Sequence, residues 1–113
     1  MAVDLDGRVI RGLNIGSTHF RNKWGDLPGS VQDEAISIIK SLIGVNIDRL
    51  PRKLHLHQLV NRSVPSALNS KKKEPVWSLH ITADDRYKAS FTYEDGTLYF
   101  RTCGIHDTVD KHP

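Results

Sequence analysis

An Asp-Gly pair at positions 95 and 96 separates two runs of alternating apolar and polar residues, Tyr87 to Tyr93 and Thr97 to His106. Asp-Gly suits the two-residue hairpin turn whose central residues both need positive φ, so it fixes the register of the strands it joins. Glu94 is then expected opposite Thr97, Tyr93 opposite Leu98, Phe91 opposite Phe100, Ser90 opposite Arg101 and Lys88 opposite Cys103. Ala89, Phe91, Tyr93, Leu98 and Phe100 fall on one side, which must be the buried one. An earlier run, Val76 to Thr82, puts Trp77, Leu79 and Ile81 on that side if the loop Ala83-Asp84-Asp85 joins it to the hairpin. His80 then lies beside Lys88 and Thr82 beside Arg86, in a three-strand meander.

The preceding residues read as a strand followed by two helices. Val9 to Ile15 is an expected strand, interrupted by Gly12 and ended by Gly16. Ser17 is placed to cap a short helix reaching about Trp24, and Pro28 suits the first turn of the next. Val31, Ala35, Ile38, Ile39 and Leu42 form one helical stripe ending at Gly44, which Ile36 and Ile43 widen. Arg49 to Leu59 reads as an ordered connector and Asn61 to Lys73 as a polar loop. The expected fold is α+β over a single domain, residues 1–113: an N-terminal strand and two helices on one face of a small antiparallel sheet. The other face is expected to be open, carrying His80, Arg86, Lys88, Ser90, Tyr99 and Arg101.

Charge is distributed unevenly. Residues 49–73 hold seven Lys/Arg (Arg49, Arg52, Lys53, Arg62, Lys71, Lys72, Lys73) and no acidic residue, whereas the flanking segments are weakly acidic. Such a stretch is either a solvated loop or a footprint for a polyanion. No apolar run approaches the ~20 residues of a membrane helix, so no membrane association is expected. The single cysteine, Cys103, excludes an intrachain disulfide and a cysteine-based zinc site, and points to a reducing, cytoplasmic compartment.

Six histidines are many for this length. Imidazole titrates near neutral pH, so two converging rings can act as proton acceptor and donor. Cleavage of RNA through its own 2′-hydroxyl needs a base, an acid, and a cation for the charge gathering on phosphorus; two histidines with Arg or Lys meet that list. His55 and His57 could share a metal, but no third ligand has matching spacing, so neither a metal nor a cofactor is expected. Trp24 and Trp77 are expected in the core, His19 and His112 in solvent, and Tyr99 could stack a base.

At this point the chain resembles the RelE/ParE superfamily of bacterial toxin–antitoxin toxins, from about Phe20 to Asp110. The resemblance is carried by Leu27-Pro28 before the long helix, Leu54 with His57-Gln58-Leu59, Trp77-Ser78-Leu79-His80-Ile81 with Asp84-Asp85-Arg86, and Gly104-Ile105-His106-Asp107. It is similar above all to the YafQ branch. The resemblance implies a metal-independent, ribosome-dependent endoribonuclease, an mRNA interferase that causes growth arrest and is held in a hetero-oligomer by its antitoxin. By position it implies a catalytic set of His57, His80, Asp84, Arg86 and His106. Lys53, Lys71, Lys72, Lys73, Lys88, Tyr99 and Arg101 are the expected contacts to RNA or the ribosome. Where the family has an aromatic residue after the last histidine, this chain has Asp107-Thr108-Val109-Asp110. The alternatives are a ParE-like gyrase inhibitor, against which His80 and His106 count, and a catalytically inactive RelE-fold binding protein.

Overall fold

The computed structural model describes residues 8–49 and 57–113; within these, nothing is said of the side chains of Arg49, His57, Val60 and Asn61. The elements run β1 (Gly12–Asn14), α1 (Thr18–Gly25), α2 (Gly29–Lys40), a 3-10 turn (Ile47–Arg49), β2 (His57–Pro65), β3 (Lys73–His80), β4 (Tyr87–Glu94), β5 (Thr97–Ile105) and α3 (His106–Lys111). The class is α+β. Five strands form one sheet in the order β1-β5-β4-β3-β2.

Local chemistry accounts for the helices on the first face. The Ser17 side chain accepts from the Phe20 amide at 3.3 Å, capping α1. Pro28 stands immediately before α2, where its missing N–H costs nothing. Phe20, Leu27, Ala35, Ile39 and Leu42 from this region pack on Trp77, Leu79, Ile81, Ala89, Phe91, Leu98 and Phe100 from the sheet. Several sequence expectations fail here. The second helix ends at Lys40 rather than Gly44, and Ile36 and Ile43 are 41% and 49% exposed, so the apolar stripe is narrower than expected. The first strand is also shorter, because Ile10 is held by backbone bonds with Gly44 and Val45 instead of a sheet neighbour. β1 pairs with β5 in parallel, which makes the sheet mixed and not purely antiparallel.

The Asp95-Gly96 turn forms with φ of 51° and 81°, and the pairs Glu94–Thr97, Tyr93–Leu98 and Phe91–Phe100 stand as read. Beyond Phe100 the register shifts: Ser90 pairs with Thr102 and Lys88 with Gly104, not with Arg101 and Cys103. Arg101 is the extra residue of a β-bulge, and everything after it changes sides. Cys103 therefore joins the helix-side core, where burial pushes its thiol up to about 12.

The second face is not open. Ser78, Lys88, Ser90 and Thr92 lie there, each 1% exposed or less. Two covers explain this. α3 packs over one end of β3, β4 and β5. At the other end, residues 57–65, expected as connector and loop, form β2 of a hairpin whose turn folds over the sheet. Between Gln58–Trp77 and Ser63–Pro75, four residues of β2 stand against one of β3, an irregularity that bulges β2. The turn docks through Glu94, whose carboxylate accepts from the Ser66 hydroxyl, the Ala67 amide at 2.9 Å and the Thr92 hydroxyl at 2.6 Å. Burial alone would raise the Glu94 carboxyl, but these bonds outweigh it and hold the group below its ordinary value.

Candidate functional site

The site lies where β3 ends, β4 begins and β5 passes into α3. His80 is the last residue of β3 and pairs across to Lys88, as the sequence predicts. Ala83-Asp84-Asp85 forms the connecting loop, closed by a positive φ of 61° at Asp85. His106 opens α3 and its amide donates to the Arg86 carbonyl at 2.9 Å, which ties the start of α3 to the start of β4. The bulge matters for this. In an unbroken register, alternation would carry His106 to the face packed by α1 and α2; the extra residue returns it to the side of His80.

The two imidazoles meet edge to face, with ring centroids 5.3 Å apart. His80 Nδ1 lies 2.8 Å from Asp85 Oδ1. A carboxylate only accepts, so Nδ1 carries the proton and the ring orientation is set. His106 Nδ1 lies 3.2 Å from Asp110 Oδ2 and 3.4 Å from Asp107 Oδ1. Asp110 also reaches back with Oδ1 to Lys88 Nζ at 3.0 Å. The result is a chain Asp85–His80–His106–Asp110–Lys88 in which His80 and Lys88 are buried, their side chains 7% and 2% exposed, while His106 and Asp110 keep about a third of their surface in water and Asp85 is exposed.

The remaining sequence candidates separate. Asp84, not Asp85, was expected with the histidines. Its carboxylate instead accepts from the Thr82 hydroxyl at 2.7 Å and the Arg86 amide at 3.1 Å, bonds that hold it below its ordinary value and shape the loop. Arg86 is exposed and its guanidinium lies 5.8 Å from the Tyr87 ring centroid. Lys88, expected on an open surface, is buried and ion-paired. Lys71, Lys72 and Lys73 are exposed at the far hairpin. Seven residue steps along β3, about 23 Å of strand, separate Lys73 from His80. Tyr99 and Arg101 are half-buried and line a separate cleft. The backbone of His57 pairs with Ser78, whereas Lys53 and His55 lie outside the described residues.

Sequence reasoning missed Asp85 and Asp110. Asp110 carries a signal in hindsight: it stands four residues after His106, the spacing at which side chains on one helix meet. Among the described residues, no group of three or more His, Cys, Asp or Glu side chains is placed to hold a metal ion, and no helix is long and apolar enough to cross a membrane. Comparison with protein-family models, with curated proteins and with solved structures returned no match.

Proposed function

We propose that this chain is an endoribonuclease that cleaves ribosome-bound mRNA, and the toxin member of a toxin–antitoxin pair. One observation carries the reading: His80 and His106, far apart in sequence, bring their rings within 5.3 Å beside a lysine. One imidazole takes the proton of the 2′-hydroxyl. The oxygen attacks phosphorus, and the other imidazole protonates the departing 5′-oxygen, leaving a 2′,3′-cyclic phosphate and a 5′-hydroxyl. Asp85 and Asp110 hold the rings in orientation through Nδ1. Lys88 supplies positive charge from below, and Arg86 supplies it from solvent. The exposed lysines of the 66–72 turn region and the start of β3 lie too far away to touch the reacting phosphate. They suit docking on ribosomal RNA or contact with an acidic antitoxin segment.

The test is cutting of translated mRNA in a ribosome-containing lysate. The wild-type chain cleaves within codons, and His106→Ala loses cleavage while keeping its circular dichroism spectrum. Intact mRNA with wild-type protein overturns the reading. A catalytically silent binding protein of the same fold is favoured by one feature, the Asp110 carboxylate already seated between Lys88 and His106. Growth arrest on induction in bacteria separates the two, since a silent protein leaves growth unchanged.

A further inference from the structure

A cleft of about 570 Å³ lies away from the histidine pair, at the outer margin of β5. It exists because β1 is short. β1 pairs with Thr97, Leu98 and Tyr99 only, so from Phe100 onward this margin of β5 has no strand beside it among the described residues. The chain turns at Gly16 and enters α1, whose first turn becomes the far wall with Ser17 and His19. Tyr99 and Arg101 make the near wall. Four residue steps along the strand, about 13 Å, separate Arg101 from Ile105 at the histidine end.

Arg101 is the bulged residue, and its guanidinium is incompletely satisfied. One terminal nitrogen donates to the Pro65 carbonyl at 3.3 Å, while the buried Nε has no hydrogen-bond partner. The Glu94 carboxylate attracts it without a direct ion pair, burial outweighs that attraction, and no acidic side chain lines the cleft. Across from it, His19 Nε2 sits 3.2 Å from the Thr102 hydroxyl. A guanidinium fork with donors to spare, an imidazole and hydroxyls are the donor set of a phosphate site. A half-buried tyrosine beside them offers a stacking platform for a base. The volume falls in the range of small-ligand sites, roughly 300–1,000 Å³.

We propose that this cleft binds one nucleotide of a single-stranded RNA, its phosphate on Arg101 and His19 and its base on Tyr99. The choice of RNA as occupant rests on the nuclease reading; the cleft chemistry does not. The site would grip the strand away from the scissile phosphate and set which stretch of RNA reaches the histidines.

The experiment uses the whole chain and a 2′-O-methyl trinucleotide, which lacks the attacking hydroxyl and stays intact. Binding is followed by amide chemical shifts and by titration at several salt concentrations. The expected result is shifts at Ser17, His19 and Tyr99 to Thr102, with Arg101→Met and His19→Ala each weakening affinity about tenfold. Each neutralised phosphate contact should also remove about 0.7 from the salt slope. His19 is exposed, so its variant tests the idea even if Arg101→Met misfolds. Unchanged affinity and slope in His19→Ala, or shifts confined to residues around His80 and His106, would overturn the proposal. Inorganic phosphate moving the same amides at equal affinity would do so too, since no base is then recognised. If the trinucleotide binds the cleft while translated mRNA stays whole, only the nuclease reading falls; if mRNA is cut and the cleft variants bind normally, only the cleft falls.

Discussion

Asp110 holds Lys88 by a 3.0 Å ion pair in which the lysine is almost wholly buried and the aspartate keeps about a third of its surface in water. A buried ion pair of this kind contributes little net stability, because desolvating both charges offsets their attraction. Removing one partner is another matter, since the survivor stays buried and unpaired.

Lys88→Met and Asp110→Ala should therefore diverge in urea denaturation. Lys88→Met fills the same space with an apolar chain and leaves Asp110 with about a third of its surface in water and the His106 imidazole at 3.2 Å, so stability should change little. Asp110→Ala should lower it by about 3 kcal/mol, the low end for breaking a buried pair, because Asp110 is partly solvated. In the cutting assay, Lys88→Met should lose roughly 10²–10³ in rate, as expected for removal of a group that stabilises developing charge. A stable and fully active Lys88→Met protein would remove Lys88 from the mechanism.

Asp85 and Asp84 should separate function from loop structure. Asp85→Asn keeps a residue that tolerates positive φ but removes the carboxylate from His80 Nδ1. Its cutting rate should fall while its melting temperature changes little. Asp84→Ala removes the acceptor for Thr82 and the Arg86 amide, and should lower the melting temperature without a matching loss of rate. The reverse pattern would return the catalytic role to Asp84.

Replacing either ring by alanine should cost about 10²–10⁴ in cutting rate, the range for loss of a positioned acid or base. If the two act as a pair, the His80→Ala/His106→Ala double variant should lose little beyond the worse single variant. Additive losses in single-turnover cleavage would mean that the rings act independently.

Glu94 links acid stability to the hairpin cover. Its carboxyl is held below its ordinary value in the folded chain, so its contribution is present above the unfolded value and lost as pH falls through the folded one. Denaturation midpoints should therefore drop below about pH 4, where a free glutamate also protonates. Glu94→Gln should flatten that acid limb. It should also cost about 1–3 kcal/mol at pH 7, because its amide turns a donor toward groups that themselves donate.

The sequence carried the hairpin turn, the cap at Ser17, the order of elements and the helix-side core, because each rests on local chemistry or strict alternation. Alternation could not say whether the second face was covered. Ser78, Ser90 and Thr92 are polar, and polar residues at alternate positions read as a solvated face whether or not a helix lies over them. α3 offered almost no periodic signal: among its six residues only Val109 is apolar and buried. The hairpin of β2 and β3 was hidden by its composition, since Asn61, Arg62 and Ser63 look like loop. For the site, pairing His80 with Lys88 followed from the register, but Asp85 took the place expected of Asp84. Which of two adjacent carboxylates turns inward is decided by the backbone conformation of a three-residue loop.

The bulge at Arg101 makes β5 sensitive to length as well as to composition. Loss of a single codon between the Asp95-Gly96 turn and Cys103 would leave every downstream side chain chemically intact yet turn it through half a pleat, sending the His106 imidazole to the wrong surface. A scan of one-residue deletions along this strand should therefore be far less tolerated than a scan of substitutions at the same positions.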